Sequence, residues 1–574
     1  MKRYINSLKF IIDFKYLTFF YLIFLLVILT FLEVLSISII YPFIKFILSG
    51  ELVFFEKIYF QLGLDRNYII PFLCILLIFC FTIKNLFSYF IKIVITNYCW
   101  KKLVILRKKI SDFYIKMPYE EFLNKGKVNI ITSIRDYTRS IMQGFEALLK
   151  LIGETIVLSS ILIYLFYLNY EVTIIISFLM LIFGYLYFSF FSKKLISNGK
   201  KNLDGEKILN SNLITLFSGF QEIKAIQKEN FFLNKLIDGS KKISNANIDT
   251  QKINFLPKHF LEIFIISFGL LYIMYSYQIN VSGDEIIATL SVYSFAALRL
   301  LPGLIQINLS LNEINYSKPS ISFIFSDLNQ INNGEKKLNN ERIKNLKEPF
   351  QFLELKNIKF KYKNSEKYII KDVNLKINKN EFIGITGESG IGKSSLVGII
   401  IGLLKQTSGE YSLYSSKKNK LIPENLISFL GQEPIVIDGS LEENIVFSED
   451  KQDFDDQKIK ESIKFSDLES FVLSLKSKEK TLIGENGITL SIGQKQRLAL
   501  ARCHYANREI MILDEPSSAL DEKTQDNIFN NLKFLKGEKT IIVITHNKKT
   551  LKYCDKVYLF SKEKLQISDL NEKY

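Results

Sequence analysis

The feature that most constrains this 574-residue chain is the placement of its apolar residues. Within residues 1–312 they gather into six long stretches, at about 17–47, 68–96, 148–169, 172–192, 260–278 and 286–311. Each approaches or exceeds the roughly 20 residues that a helix needs to cross a bilayer. Six spans place both termini on one side, and the flanking charges choose it. Lys2, Arg3, Lys9 and Lys15 precede the first span; Lys101, Lys102, Arg107, Lys108 and Lys109 follow the second; Lys193, Lys194, Lys200 and Lys201 follow the fourth. The short connection 279–285 carries Asp284 and Glu285 and no basic residue. The positive-inside rule therefore puts the termini and the two long inter-span segments in the cytoplasm. The start is not a signal peptide, because its apolar region is too long and no small-residue cleavage site follows. Lys and Arg exceed Asp and Glu by 74 − 58 = 16. So basic a balance suits nucleic acid or an anionic membrane surface. The apolar distribution decides for the membrane and against a nucleic-acid partner. The five cysteines have neither metal-ligand nor disulfide spacing.

The polar segments 97–147 and 193–259 carry aliphatic residues at helical spacing, so the helices are expected to run on into the cytoplasm. They should turn back near Pro118–Phe122 and Gly219–Lys224, where they could touch a soluble domain. The segment 328–350, rich in Asn, Lys and Glu, reads as a linker. From Gln351 onward, short apolar strands alternate with amphipathic stretches, the pattern of an α/β unit with a mainly parallel sheet. The expected architecture is an all-α six-helix transmembrane domain, 1–327, then the linker, then an α/β domain, 351–574, which the glycine loop Gly387–Ser394 marks as a P-loop ATPase domain.

In that last region Gly387-Glu388-Ser389-Gly390-Ile391-Gly392-Lys393-Ser394 matches the phosphate-cradling loop Gly-x-x-x-x-Gly-Lys-Ser. An apolar run precedes it and a helix-like stretch follows. Glycines let backbone N–H groups curl around phosphate oxygens, and the helix N-terminus adds positive potential. Lys393 is placed to hold the terminal phosphates and Ser394 the magnesium. Ile510-Met511-Ile512-Leu513 then reads as a strand buried on both faces. It ends in Asp514, a magnesium ligand by position, and Glu515, a general base for water.

Leu490-Ser491-Ile492-Gly493-Gln494 carries a family resemblance. It resembles the Leu-Ser-Gly-Gly-Gln signature of ATP-binding cassette (ABC) transporters. In that family the signature contacts the nucleotide held by the opposite subunit. One loop and one signature per chain then imply a dimer; a homodimer needs no partner, and a heterodimer with a second half-transporter is the alternative. Ile492 replaces the usual glycine, and a β-branched residue would be strained there if φ had to be positive. The resemblance further implies roles for Tyr362 in stacking on adenine, Gln432 in sensing magnesium, Gly484–Gly487 in touching the helical turns, Ser518–Asp521 in communication across the dimer, and His546 in contacting the γ-phosphate. The implied nucleotide-binding set is Tyr362, Gly387, Glu388, Ser389, Gly390, Ile391, Gly392, Lys393, Ser394, Ser395, Gln432, Leu490, Ser491, Gly493 and Gln494. The metal set is Ser394, Gln432 and Asp514, and the catalytic set Glu515, His546 and Gln432, with ATP and Mg2+ as the cofactors. His259 and His504 lack such context and read as structural.

A membrane half fused ahead of one cassette is the layout of a bacterial half-transporter of the exporter type, in the inner membrane with cytoplasmic termini. Three patches resemble the bacterial flippases of lipid-linked oligosaccharides: Phe31–Ile44, Leu298–Pro302, and the outer segment 51–62, which could form an amphipathic helix lying against lipid, an ordinary packed loop being the competing reading. Ionisable residues inside spans are costly and face a cavity or a partner. Here they are Glu33, Lys84, Lys92, Glu154, Glu262 and Arg299. Glu154 could pair with Lys150 at i−4. Arg299, with Lys84 and Glu33, is the candidate for an anionic head group, because guanidinium binds phosphate well; a helix–helix ion pair is the competing reading. The expected activity is ATP-driven movement of an amphipathic substrate, a lipid-linked glycan or other anionic lipid, by alternating access. Peptide or drug export is the alternative within the family, and a nucleotide-gated channel or regulator the alternative outside it.

Overall fold

The computed structural model describes residues 8, 10–11, 16–49, 69–278, 283–338, 349–363, 365–415, 423, 426–485, 487–561 and 563–568. The outer segment 51–62 and Asn486 of the Gly484–Gly487 loop lie outside them. The chain divides into two compact units, one of Met1–Met117 with Phe122–Lys336 and one of Pro118–Glu121 with Lys337–Tyr574.

The first unit is all-helical. Its long helices are α1 (Tyr16–Ser38), α2 (Ile69–Ile115), α3 (Thr138–Leu168), α4 (Tyr170–Ser218), α5 (Glu229–Gln278) and α6 (Gly283–Leu338). Among the described residues, six helices are long and apolar enough to cross a membrane. The first span is not one helix over 17–47: α1 ends at Ser38 and a second helix runs Ile40–Ser49. Pro42 accounts for the break at the backbone, since it has no N–H to donate to the Ser38 carbonyl four residues back. The remaining helices outrun the apolar stretches that announce them. α2 has 47 residues and α4 has 49. At 1.5 Å per residue each is about 70 Å long, well over twice a bilayer core of about 30 Å. The reversals fall where aliphatic spacing lapses, at the short helices Tyr119–Lys125 and Phe220–Ile226. Beyond the apolar stretches the packing is still a true core: Tyr137, Ile141 and Phe145 of the α3 region are fully buried against α2 and α6. The stretch 328–338, expected as linker, continues α6, and 339–348 lie outside the described residues.

The second unit is α/β. Strands β1 (Phe350–Phe360), β2 (Ile370–Asn378) and β4 (Ser408–Ser415) form an antiparallel sheet in the order β2-β1-β4. The larger sheet contains β3 (Phe382–Gly387), β5 (Ile427–Leu430), β6 (Ile510–Asp514), β7 (Thr540–Ile544), β8 (Lys556–Ser561) and β9 (Lys564–Ser568) in the order β9-β8-β3-β7-β6-β5. All neighbours are parallel except β8 with β9. β3 and β7 are buried at every residue, as a parallel strand covered on both faces must be. α7 (Lys393–Ile401), α8 (Ile492–Ala506) and α9 (Glu522–Phe534) follow the loops that carry the chemistry.

Candidate functional site

Strand register assembles the candidate nucleotide site. Ile385 of β3 pairs with Ile544 of β7, and Asp514 of β6 also pairs with Ile544. Leu430 of β5 pairs with Leu513 of β6. The loops after four strands therefore emerge together at the carboxyl edge, where open parallel sheets bind ligands. From them come Gly387–Gly392, Gln432, Asp514 with Glu515, and His546.

The glycine loop turns into α7 through Gly392, the N-cap, whose φ is +116°. A Cβ there would fall 2.6 Å from Cγ2 of Ile369, so both backbone and space demand glycine. Lys393 Nζ donates to the carbonyls of Gly387 and Glu388, each at 2.7 Å, and lies 3.2 Å from His546 Nε2. The same nitrogen of His546 is 3.3 Å from Glu515 Oε1. It can accept from Lys393 or donate to Glu515, but one tautomer does only one of these. Burial lowers the pKa of Lys393, and the nearby Glu515 and Asp514 carboxylates act in the opposite sense. Burial raises the pKa of Asp514, with Glu515 adding to the shift. Lysine, histidine and two carboxylates thus share one small volume, in which an arriving anion or cation changes the balance. Tyr362 stands at the edge of the loop, its hydroxyl 3.2 Å from Ser395 Oγ and its ring edge-on to Phe360 at 5.0 Å. Ser394 and Gln432 are exposed.

The signature segment is a helix start. Ser491 caps α8 by accepting from Gln494 N at 3.2 Å, and Gln494 Oε1 accepts from Ser491 N at 2.8 Å. Ile492 is the first helical residue and 70% exposed, and it is absent from the positive-φ positions. The strain that a β-branched residue could have caused there does not arise. Gly493 is required for a different reason: a Cβ would meet the Ala519 carbonyl at 2.8 Å. Asp521 caps α9 by accepting from Thr524 N at 3.1 Å. His504 is structural, hydrogen-bonded to Ser462 at 2.9 Å and stacked on Phe465.

Sequence reasoning missed Gln496. It is 2% exposed and joins α8 to the segment after β6. The available signal was position: Gln496, Ala499, Leu500 and Cys503 share one helical face, and a polar residue on an otherwise apolar buried face needs partners.

In the first unit the candidate substrate residues form one charge cluster. Arg299 Nε donates to Glu33 Oε1 at 2.8 Å and Arg299 Nη2 to Glu154 Oε2 at 3.0 Å. Lys84 Nζ lies 3.0 Å from Glu33 Oε2. Glu154 does not pair with Lys150, which turns instead to Glu146 at 2.8 Å. Glu262 lies 3.9 Å from both Lys258 and His259. All five cysteines are free.

A phosphate-loop ATPase unit behind six membrane-crossing helices defines an ATP-powered membrane transporter. Residues 370–518 match the family model of the ABC transporter. A putative export ATP-binding/permease protein of Rickettsia typhi is 27% identical over 65% of this chain and 65% of its own length. A multidrug resistance-like ATP-binding protein of Buchnera aphidicola is 27% identical over 88% of each chain. The solved structure of a bacterial Atm1-family ABC exporter with ATP bound shares the fold, with a TM-score of 0.78 over 94% of each chain at 16% identity. Residues 370–518 thus form an ABC transporter domain, and over most of its length the chain is similar to exporter-type half-transporters, a likeness that supports ATPase-coupled transport.

Proposed function

We propose that the chain works as a homodimer in a bacterial inner membrane, with both termini cytoplasmic, and moves a lipid amphiphile across the bilayer by alternating access. The observation that carries the substrate class is an apolar cavity of about 90 Å3 among α4, α5 and α6. Val172, Ile176, Phe264, Phe268, Tyr272 and Tyr293 line it. At Gly269, also in its wall, a Cβ would meet nothing within 4 Å, so the helix surface there stands open. Such a lining accepts hydrocarbon. The two cations that an anionic head group would need, Arg299 and Lys84, are held by Glu33 and Glu154. In this arrangement the hydrocarbon part is the accommodated one, and capture of an anionic head, such as that of a lipid-linked glycan, requires that the cluster open.

At the nucleotide site, Gly387–Ser395 and Lys393 take the phosphates, Tyr362 stacks on adenine, and Leu490, Ser491, Gly493 and Gln494 complete the site of the opposite subunit. Glu515 accepts a proton from the attacking water and His546 contacts the terminal phosphate. The hydroxyl of Ser394, the amide oxygen of Gln432 and the carboxylate of Asp514 are hard oxygen donors that suit Mg2+. Burial, and then the neighbouring Glu515, raise the pKa of Asp514, and a cation bound there would favour its charged form. When bound, the metal neutralises phosphate charge.

Removing the ring in Tyr362→Ala should raise KM for ATP about tenfold, as loss of base–aromatic stacking does, and leave kcat within about twofold. ATPase kinetics of the purified protein read both. The transport reading is tested in proteoliposomes containing a lipid with a fluorescent head group. ATP should drive that head group across the bilayer, with no such movement in Glu515→Gln. The name of the multidrug resistance-like relative favours a second reading, export of an apolar drug. ATP-driven efflux of an apolar dye with no lipid movement would decide for it. ATP hydrolysis unaffected by lipid or dye, with neither moved, would decide for a regulator.

A further inference from the structure

We propose that Gln496 is a positioning residue for Glu515, tying the helix that serves one nucleotide site to the carboxylate that serves the other. The inference rests on the dimeric ATPase reading above. Gln496 sits in the second turn of α8, just after the signature. Its Nε2 donates to Ser518 Oγ at 2.7 Å and to the Glu515 carbonyl at 3.4 Å, and its Oε1 accepts from Ala519 N at 3.3 Å. One buried amide thus satisfies three groups across the turn that follows β6.

That turn needs holding. Glu515 has φ of +49°, a left-handed conformation that is strained for a residue with a side chain. Its N–H is fixed by the Ile544 carbonyl at 2.9 Å. Its carbonyl accepts from Ser518 N at 3.4 Å and from Gln496. The peptide on either side of the carboxylate is therefore pinned, once by the sheet and once by α8. Close packing reinforces the second pin, because Gly493 approaches the Ala519 carbonyl so nearly that no Cβ fits. In the dimer the start of α8 belongs to the partner's nucleotide and Glu515 to its own. A shift of α8 as the partner's ATP binds or leaves moves Gln496, and with it the backbone that aims Glu515. The two sites are thereby coupled through a single side chain.

The test is Gln496→Met, which keeps the length of the side chain and removes both donor and acceptor. Steady-state ATPase of the full chain should show kcat reduced about tenfold, the scale of a lost buried hydrogen-bond set, with KM for ATP within about twofold of the parent. A parent-like kcat overturns the proposal. A loss of ATP affinity along with kcat overturns it too, since that marks a role in folding or binding. Should Gln496→Met fail to accumulate, Ser518→Ala removes the shortest of the three bonds alone; a fall in kcat of about threefold at constant KM is expected, and no fall overturns the proposal. Glu515→Gln is run beside them. If it hydrolyses ATP normally the general-base reading fails, whereas an inactive Glu515→Gln with a fully active Gln496→Met removes only the inference drawn from Gln496.

Discussion

Glu515→Gln lowers ATP turnover by about two to three orders of magnitude and leaves ATP affinity within a few-fold of the parent. A positioned general base contributes about 10²–10⁴ to a hydrolysis rate. Glutamine has the shape of glutamate and cannot take a proton. The variant pays the same left-handed backbone as the parent and keeps the same backbone bonds to Ile544 and Gln496, so the turn has no reason to rearrange. Affinity rests on other groups: the glycine loop, Lys393, His546 and the Tyr362 ring, of which Lys393 and His546 lie beside Glu515. Losing that carboxylate makes the site more positive, which favours an anionic nucleotide. ATP should therefore bind at least as well while hydrolysis stalls. Equilibrium nucleotide binding and phosphate release on the same preparation measure the two quantities. A variant that turns over at the parent's rate would remove Glu515 from the chemistry.

The candidate nucleotide site was legible because such chemistry demands particular residue types at fixed offsets. A backbone at φ +116° beside Ile369 leaves Gly392 no substitute, and such demands write themselves into the sequence. The lysine and the paired carboxylates stand in motifs of the same kind, whereas His546 entered only through the family resemblance; the strand register brings Asp514 and His546 to the same edge as the loop. What was not legible depends on contacts between distant residues. Arg299 meets Glu33 across 266 positions and Glu154 across 145, and no local pattern reports that. The local rule that Glu154 sits four residues from Lys150 gave the wrong partner, since Glu146, also four residues away, holds that lysine. The helix ends were legible in part: hydropathy records only where lipid stops, but the aliphatic spacing through 97–147 and 193–259 carried the helices on to the reversals at Tyr119–Lys125 and Phe220–Ile226. Beyond the apolar stretches Tyr137, Ile141 and Phe145 supply a packed core. Proline in the first span was a local signal that apolar length concealed. Ile492 shows the reverse case, where strain would have followed only from a positive φ, and the position is the first residue of a helix with no such φ.

Removing either partner of the Glu33–Lys84 pair should destabilise the first unit severely, and removing both should restore much of the loss. Glu33 is 2% and Lys84 8% exposed, and together with Arg299 and Glu154 they make a cluster of two cations and two carboxylates whose charges cancel. Deleting one member of a buried pair leaves an uncompensated charge and costs about 3–5 kcal/mol. Hydrocarbon around the helices offers that charge nothing better than the protein does. Glu33→Gln leaves Lys84 without its carboxylate and the cluster at net +1; Lys84→Met leaves it at net −1, by subtraction of one charge from a neutral set. The double variant is neutral again and keeps the Arg299–Glu154 bond. Its loss should fall short of the summed single losses by about 2–3 kcal/mol, the upper range for directly contacting residues. The temperature of half-inactivation in detergent ranks the four proteins, and the expected order is parent, double variant, then the two singles. If the singles match the parent, or if their effects simply add, the four groups do not act as one unit. The same cycle bears on transport. A cluster that must open to receive an anionic head has a lower barrier to opening in Glu33→Gln, where Arg299 loses one of its two anchors. Stimulation of ATPase by an anionic lipid should then appear at lower lipid concentration in Glu33→Gln than in the parent, although the protein itself is less stable.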